Sequence, residues 1–222
     1  MGLVINGRNF NNVAPELGLA IDNSYDTGSW GDYDNNGRLD LYVNGTITGG
    51  NSYEDYLFHN DASGFTNITP KIIKDNDGDH GAHWVDFDQD GDLDLALTGA
   101  SSDGMHHLLR NEIAEELAQQ SLQVVVLDGK GHYPRSGSEV RLYKAGTKQL
   151  LGMNIIDTGS GYNSQNAMPV HFGLRGIDSV DIEVTVMTNL GRKSVLLNNV
   201  DPKKYLGTNL IVKINAAGKR VN

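Results

Sequence analysis

The stretch SWGDYDNNGRLDLYVNG, residues 29–45, places Asp32, Asp34, Asn36 and Asp40 within nine positions, with Gly37 at the sixth. A second stretch, HWVDFDQDGDLDLAL at 83–97, sets Asp86, Asp88, Asp90 and Asp94 in the same places around Gly91. Two further pairs keep the order: FNNVAP (10–15) with FTNITP (65–70), and YLFHN (56–60) with HLLRN (107–111). The offsets are 55, 54 and 51 residues, so the first half of the chain is an internal duplication. LDLYV and LDLAL alternate as half-buried strands do, and GFTNITP reads as a strand stopped by proline.

The alternation of acidic positions has a chemical reading. Calcium takes about six to eight oxygen ligands, so carboxylates, amide oxygens and carbonyls must converge on one point. In an Asp-x-Asp-x-Asn/Asp-Gly turn, side chains one, three and five face inward, and the glycine supplies the backbone conformation for the sharp bend. Position seven, Arg38 or Asp92, is expected to contribute its carbonyl. An EF-hand closes with Glu at position twelve on a helix. Here position twelve is Val43 or Leu97, and the closing carboxylate is at position nine, Asp40 or Asp94, on a following strand. The expectation is two strand–loop–strand calcium sites. Asx-type turns are the alternative, but three carboxylates in one loop and at least four in the other repel each other without a cation.

Composition bounds the rest. The chain has 222 residues, 27 glycines, no cysteine and a net charge of -10. That is enough length for a sizeable core, and the acidity argues against nucleic acid or an anionic membrane as partner. No apolar run approaches the roughly 18–20 residues of a membrane span. The start, MGLVINGRNF, has neither a basic nor an apolar region of a signal peptide. EIAEELAQQ (112–120) reads as a short helical connector. From Ser121 to the end, runs such as SLQVVVLD, EVRLYKAG, DIEVTVMT and NLIVKI read as strands of a sandwich or barrel-like module, with a frayed tail NAAGKRVN. The expected class is all-β: repeats at about 10–60 and 65–111, a connector at 112–120, and a β module at 121–222.

Other motifs carry less. Asp75, Asp77 and Asp79 in DNDGDH form a half-built acidic loop, an auxiliary metal site at most. No catalytic residue is assigned. If the chain is an enzyme, His80, His83 and His106 are the base candidates; residues three apart on an extended segment face opposite ways unless Gly81 bends it. His107 and His59 align with Tyr56 and Arg110 across the repeat and read as framework positions. Ser160, Tyr162 and Ser164 lack a nucleophile-elbow pattern. Asn44–Thr46 and Asn67–Thr69 are glycosylation sequons and hint at export.

The two loops, the preceding Trp30-Gly31 and Trp84-Val85, and the following LDLYV and LDLAL resemble FG-GAP/VCBS repeats of integrin α-subunit β-propellers and bacterial exported proteins. SGSEVRLY (136–143), DTGSGYNSQNAMPVHFGL (157–174) and VDIEVTV (180–186) resemble the ASPIC/UnbV module of cartilage acidic protein-like chains. MTNLGR stands where that family usually has a Trp-Pro-x-Gly turn. The resemblance implies a calcium-binding, extracellular, periplasmic or cell-surface module that recognises carbohydrate or protein, with calcium structural. The alternative is the C-terminal part of a calcium-dependent polysaccharide lyase or sugar dehydratase. Closed propellers have about four to eight blades, so two repeats must pack on the β module, associate with themselves, or be joined by additional repeats. A fragment of a longer protein and a compact two-repeat homologue both satisfy this.

Overall fold

In the computed structural model, residues 3–6, 9–21, 25–74, 79–99, 106–157, 159 and 169–221 are described. Among them the chain is all-β, with two α-helical turns and one 3-10 turn.

A hairpin of β1 (Leu3–Asn6) and β2 (Asn9–Asn12) comes first. The first repeat is an antiparallel meander of β3 (Tyr25–Gly31), β4 (Asp40–Gly45), β7 (Tyr56–Asn60) and β8 (Phe65–Asn67). A small hairpin, β5 (Ile47–Thr48) and β6 (Asn51–Ser52), sits in the link between β4 and β7. After the helical turn α1 (Lys71–Lys74), the second repeat gives β9 (Asp79–Val85), β10 (Asp94–Gly99) and β11 (His107–Leu109), in the sheet order β11-β10-β9. The aspartate loops join β3 to β4 and β9 to β10, at the same place in each blade.

Strand alternation decides how the blades stack. Tyr42 and Leu57 point from the first blade into a core with Ala82, Trp84, Leu93, Leu95 and Leu97 of the second. Tyr42 meets the Trp84 indole edge-on, 6.5 Å between centroids. Gly31 is needed here, because a Cβ would lie 2.6 Å from the Trp84 ring. The opposite face of the first blade (Leu41 and Phe58) is covered by Ala14 and Leu19. The buried carboxylate of Asp55 accepts from Tyr42 Oη (2.6 Å) and from Gly45 N (2.6 Å), which ties the end of β4 to the chain entering β7.

Helix α2 (Glu115–Ala118) leads into a sandwich. One sheet runs β15 (Val170–Gly173), β12 (Ser121–Asp128), β18 (Leu210–Ile214), β19 (Arg220–Val221). The other runs β14 (Leu150–Ile155), β13 (Glu139–Lys144), β16 (Val180–Thr188), β17 (Gly191–Val200). Pairing is antiparallel except between β12 and β18. Every second residue turns inward, so Val124, Val126, Val212 and Ile214 face Val140, Leu142, Ile182 and Val184 in one apolar core.

Two expectations change. The tail is not frayed: Asn215 N donates to Lys219 O (2.9 Å) across a tight turn, and Arg220–Val221 pair with β18. The Asn44 sequon is unavailable in the folded protein, because Asn44 is completely buried in β4. The bend expected at Gly81 has a counterpart: β9 runs through Gly81, and its pairing with β10 shifts register between Gly81 and Asp79, at His80.

Candidate metal centre

Both loops fold by the same local hydrogen bonds. In the first, Asp32 accepts from the amides of Asn36 (2.9 Å) and Gly37 (2.8 Å), and Asn36 Oδ1 from Arg38 N (2.8 Å). In the second, Asp86 accepts from Asp90 N and Gly91 N (both 3.1 Å), and Asp90 Oδ1 from Asp92 N (3.1 Å). The closing carboxylates reach across the blade to equivalent amides: Asp40 to Asn60 N (2.7 Å) and Asp94 to Asn111 N (2.8 Å). The fourth position is left-handed in each, φ 57° at Asn35 and 60° at Gln89, and so is the glycine, φ 84° and 104°.

These turns bring ligand atoms together. Oxygens of Asp86, Asp88 and Asp94 lie within 4.8 Å of one another, as do atoms of Asp34, Asp40 and His59. His59 Nδ1 stands 3.2 Å from Asp40 Oδ1 and 4.0 Å from Asp34 Oδ2. Its counterpart Arg110 holds Asp88 Oδ2 at 3.0 Å and lies over the Phe87 ring. The aligned pair His59/Arg110 is therefore the basic member of each loop, a role that reading them as framework positions missed.

The electrostatics report crowded carboxylates. Burial, aided by neighbouring aspartates and opposed by backbone amides, raises the pKa of Asp32 and of Asp40 to about 7. Burial and the surrounding aspartates raise Asp92 to about 8, burial raises Asp94 to about 6, and Asp86 is also raised. Asp40 Oδ2 and both carboxylate oxygens of Asp92 are buried without a hydrogen-bond partner. A buried carboxylate oxygen without a donor needs a proton or a cation. Carboxylate oxygens make up the second loop's group and dominate the first's, where the His59 imidazole is the one nitrogen, so these residues fit a hard divalent ion. The Asp92 side chain, expected only to lend its carbonyl, is itself fully buried. Asn36 differs from Asp90 in that its remaining amide atom is the nitrogen, buried without an acceptor.

Both loops are docked on the sandwich, which sequence reasoning did not locate. Arg175 donates to Asp34 O (2.5 Å) and Asp34 Oδ2 (3.3 Å), and Gln123 of β12 donates to Asp86 Oδ2. Asn35 is completely buried at this junction. Gly173 of β15 touches the first loop so closely that a Cβ would sit 2.0 Å from Asp32 Oδ2. A cavity of about 460 Å³ opens beside this contact, between Trp30, Leu39 and Asp32 on one side and Met153, Asn154 and His171 on the other.

The remaining candidates lie elsewhere. Asp75 and Asp77 fall outside the described residues, and of Asp79 only its place at the start of β9 is described. Ser160, Tyr162 and Ser164 also fall outside. His80 and His83 are half-buried in β9 and His106 is exposed before β11; among the described residues none of them joins a convergent group of ligand atoms.

A blade-forming repeat with an aspartate loop between its first two strands, followed by a β-sandwich, defines an all-β repeat protein. Its modules are recognisable. Residues 44–97 match the FG-GAP-like repeat and residues 129–206 match ASPIC and UnbV. The first match takes in the whole second loop; the first loop lies ahead of it and is related through the internal duplication. No curated protein matches the chain. FG-GAP and UnbV modules are typical of extracellular proteins, and no helix among the described residues is long and apolar enough to cross a membrane.

Proposed function

We propose that the chain is a calcium-braced binding module that works outside the cytoplasm. Asp32, Asp34, Asn36, Asp40 and the Arg38 carbonyl hold one ion; Asp86, Asp88, Asp90, Asp92 and Asp94 hold the other. The observation that carries this reading is the convergence of ligand atoms at both loops, Asp86, Asp88 and Asp94 at one and Asp34, Asp40 and His59 at the other, each group within 4.8 Å. When bound, calcium supplies charge neutralisation and fixed geometry. The chain's own residues supply the cradle and tie it to the sandwich through Arg175 and Gln123. The role is structural: an ion that binds the native state at about 100 times its Kd adds about 2.7 kcal/mol of stability, and millimolar extracellular calcium keeps even weak sites filled.

The recognised partner is carbohydrate or protein, met by the polar surface that these loops hold in place. Ala14 and Leu19 cover only part of the first blade's outer face, and a further blade of the same kind is the natural cover for the rest. Trp30 and Leu39 are 48% and 52% exposed there, whereas their counterparts Trp84 and Leu93, covered by the first blade, are 5% and 7% exposed.

Thermal unfolding with calcium and with EDTA tests the calcium reading. Calcium is expected to raise Tm, and Asp86→Ala and Asp32→Ala each to remove part of the rise. A Tm indifferent to calcium in the unsubstituted chain overturns it.

A further inference from the structure

We propose that Asn35 is a positioning residue that couples the two cation loops to each other and to the sandwich, so that the loops fill cooperatively. This rests on the calcium reading above and adds to it a connection between the sites.

Asn35 is the fourth position of the first loop, flanked by the ligand candidates Asp34 and Asn36, and none of its surface is exposed. Its side-chain nitrogen donates to three carbonyls: Gly91 O (3.1 Å) in the second loop, and Leu117 O (3.1 Å) and Ala118 O (3.0 Å) of α2. Three acceptors around one atom fix which end of the amide is nitrogen. Oδ1 therefore faces His171 Nε2 at 2.7 Å, and because Oδ1 carries no proton, the imidazole must donate. The backbone oxygen of Asn35 accepts from Arg175 N (3.1 Å). One residue thus spans the first loop, the turn of the second, the connecting helix and β15.

The second loop supplies the internal control. Gln89 occupies the same position with nearly the same φ, 60° against 57°, yet it is exposed and its side chain enters none of these contacts. A left-handed fourth position is thus a property of the loop, whereas the junction belongs to Asn35.

The coupling follows from ordering. A cation held by Asp34 and Asn36 immobilises the backbone on both sides of Asn35. Its amide then holds Gly91 O, which lies between the ligand candidates Asp90 and Asp92. Ordering achieved by the first ion need not be repeated for the second, which is positive cooperativity, and by linkage the effect is reciprocal.

Calorimetric titration of the full chain with calcium reads this out. The unsubstituted protein is expected to bind two ions with a Hill coefficient above one, and Asp86→Ala to weaken the remaining first-loop site by about 5- to 150-fold, the usual span of such coupling. In Asn35→Gly, which accepts the positive φ without strain, the sites should titrate independently, and Asp86→Ala should no longer affect the first loop. Gln89→Ala should leave the cooperativity intact. Two independent sites in the unsubstituted protein, or coupling that survives Asn35→Gly, overturns the inference while leaving the calcium reading in place. No binding at all removes both. Should Asn35→Gly fail to fold, the effect of Asp86→Ala on the first loop still decides: an unchanged affinity there sinks the proposal.

Discussion

The two blades are nearly the same sentence written twice, and they differ most where they touch other things. Trp30 and Trp84 precede equivalent loops, yet Trp84 is buried against Tyr42 while Trp30 is half exposed. Position 31 is glycine because Trp84 lies on it; position 85 is valine, half-buried at the corresponding place on the second blade. Asn35 is a buried junction and Gln89 an exposed turn residue. The hydrogen bonds inside the loops match, so local sequence sets the loop. Each loop's burial and partners come from its neighbours.

The largest break in that comparison comes from the tryptophans. Trp84→Ala should cost about 3–5 kcal/mol, the range for a large core side chain, and Trp30→Ala less than about 1 kcal/mol, as surface changes do. Equal costs in urea unfolding would mean that the first blade's outer face is already covered. Gly173→Ala comes next. Its Cβ would displace Asp32 and Asn35, so overpacking of about 1–3 kcal/mol is expected, with faster proteolysis at the junction; Gly176→Ala, whose Cβ meets open space but at φ 73°, carries backbone strain alone and should leave that cleavage unchanged.

Acidity sharpens the comparison from another side. Asp32, Asp40, Asp92 and Asp94 have folded-state pKa values of about 7, 7, 8 and 6, above the ordinary 3.8. The calcium-free folded state therefore holds more protons than the unfolded chain, and its stability must fall as pH rises from about 4 to 8. In EDTA, Tm should drop across that window; in saturating calcium the drop should shrink, because the ion replaces the protons. A flat profile in EDTA contradicts the crowding of these carboxylates. The smallest effect belongs to the basic partners. Arg110→Ala removes a partly exposed ion pair with Asp88 and should change stability by less than about 1 kcal/mol.

Much of this was legible beforehand because it is short-range. The alternation of Asp32, Asp34 and Asn36 about Gly37 is a local pattern, and its return at Asp86, Asp88, Asp90 and Gly91 needs no knowledge of the fold. Strand periodicity from Ser121 onward likewise marked an all-β module. Arg175 and Gln123 carry no local mark, and His171 only its place in the stretch PVHFGL, since their meaning lies in contacts with loops many residues away. His59 and Arg110 had a trace, their alignment across the repeat, but alignment alone does not say that they face carboxylates.

By itself, then, the sequence determined two aspartate loops on blade-type strands and an all-β partner module, because turn chemistry and alternation act over a few residues. The tertiary structure alone decided that Asn35, rather than Gln89, became the buried joint, and that Trp84, rather than Trp30, became core. Those outcomes depend on which face of each repeat meets a neighbour, and two copies of one local pattern carry no record of which will be covered.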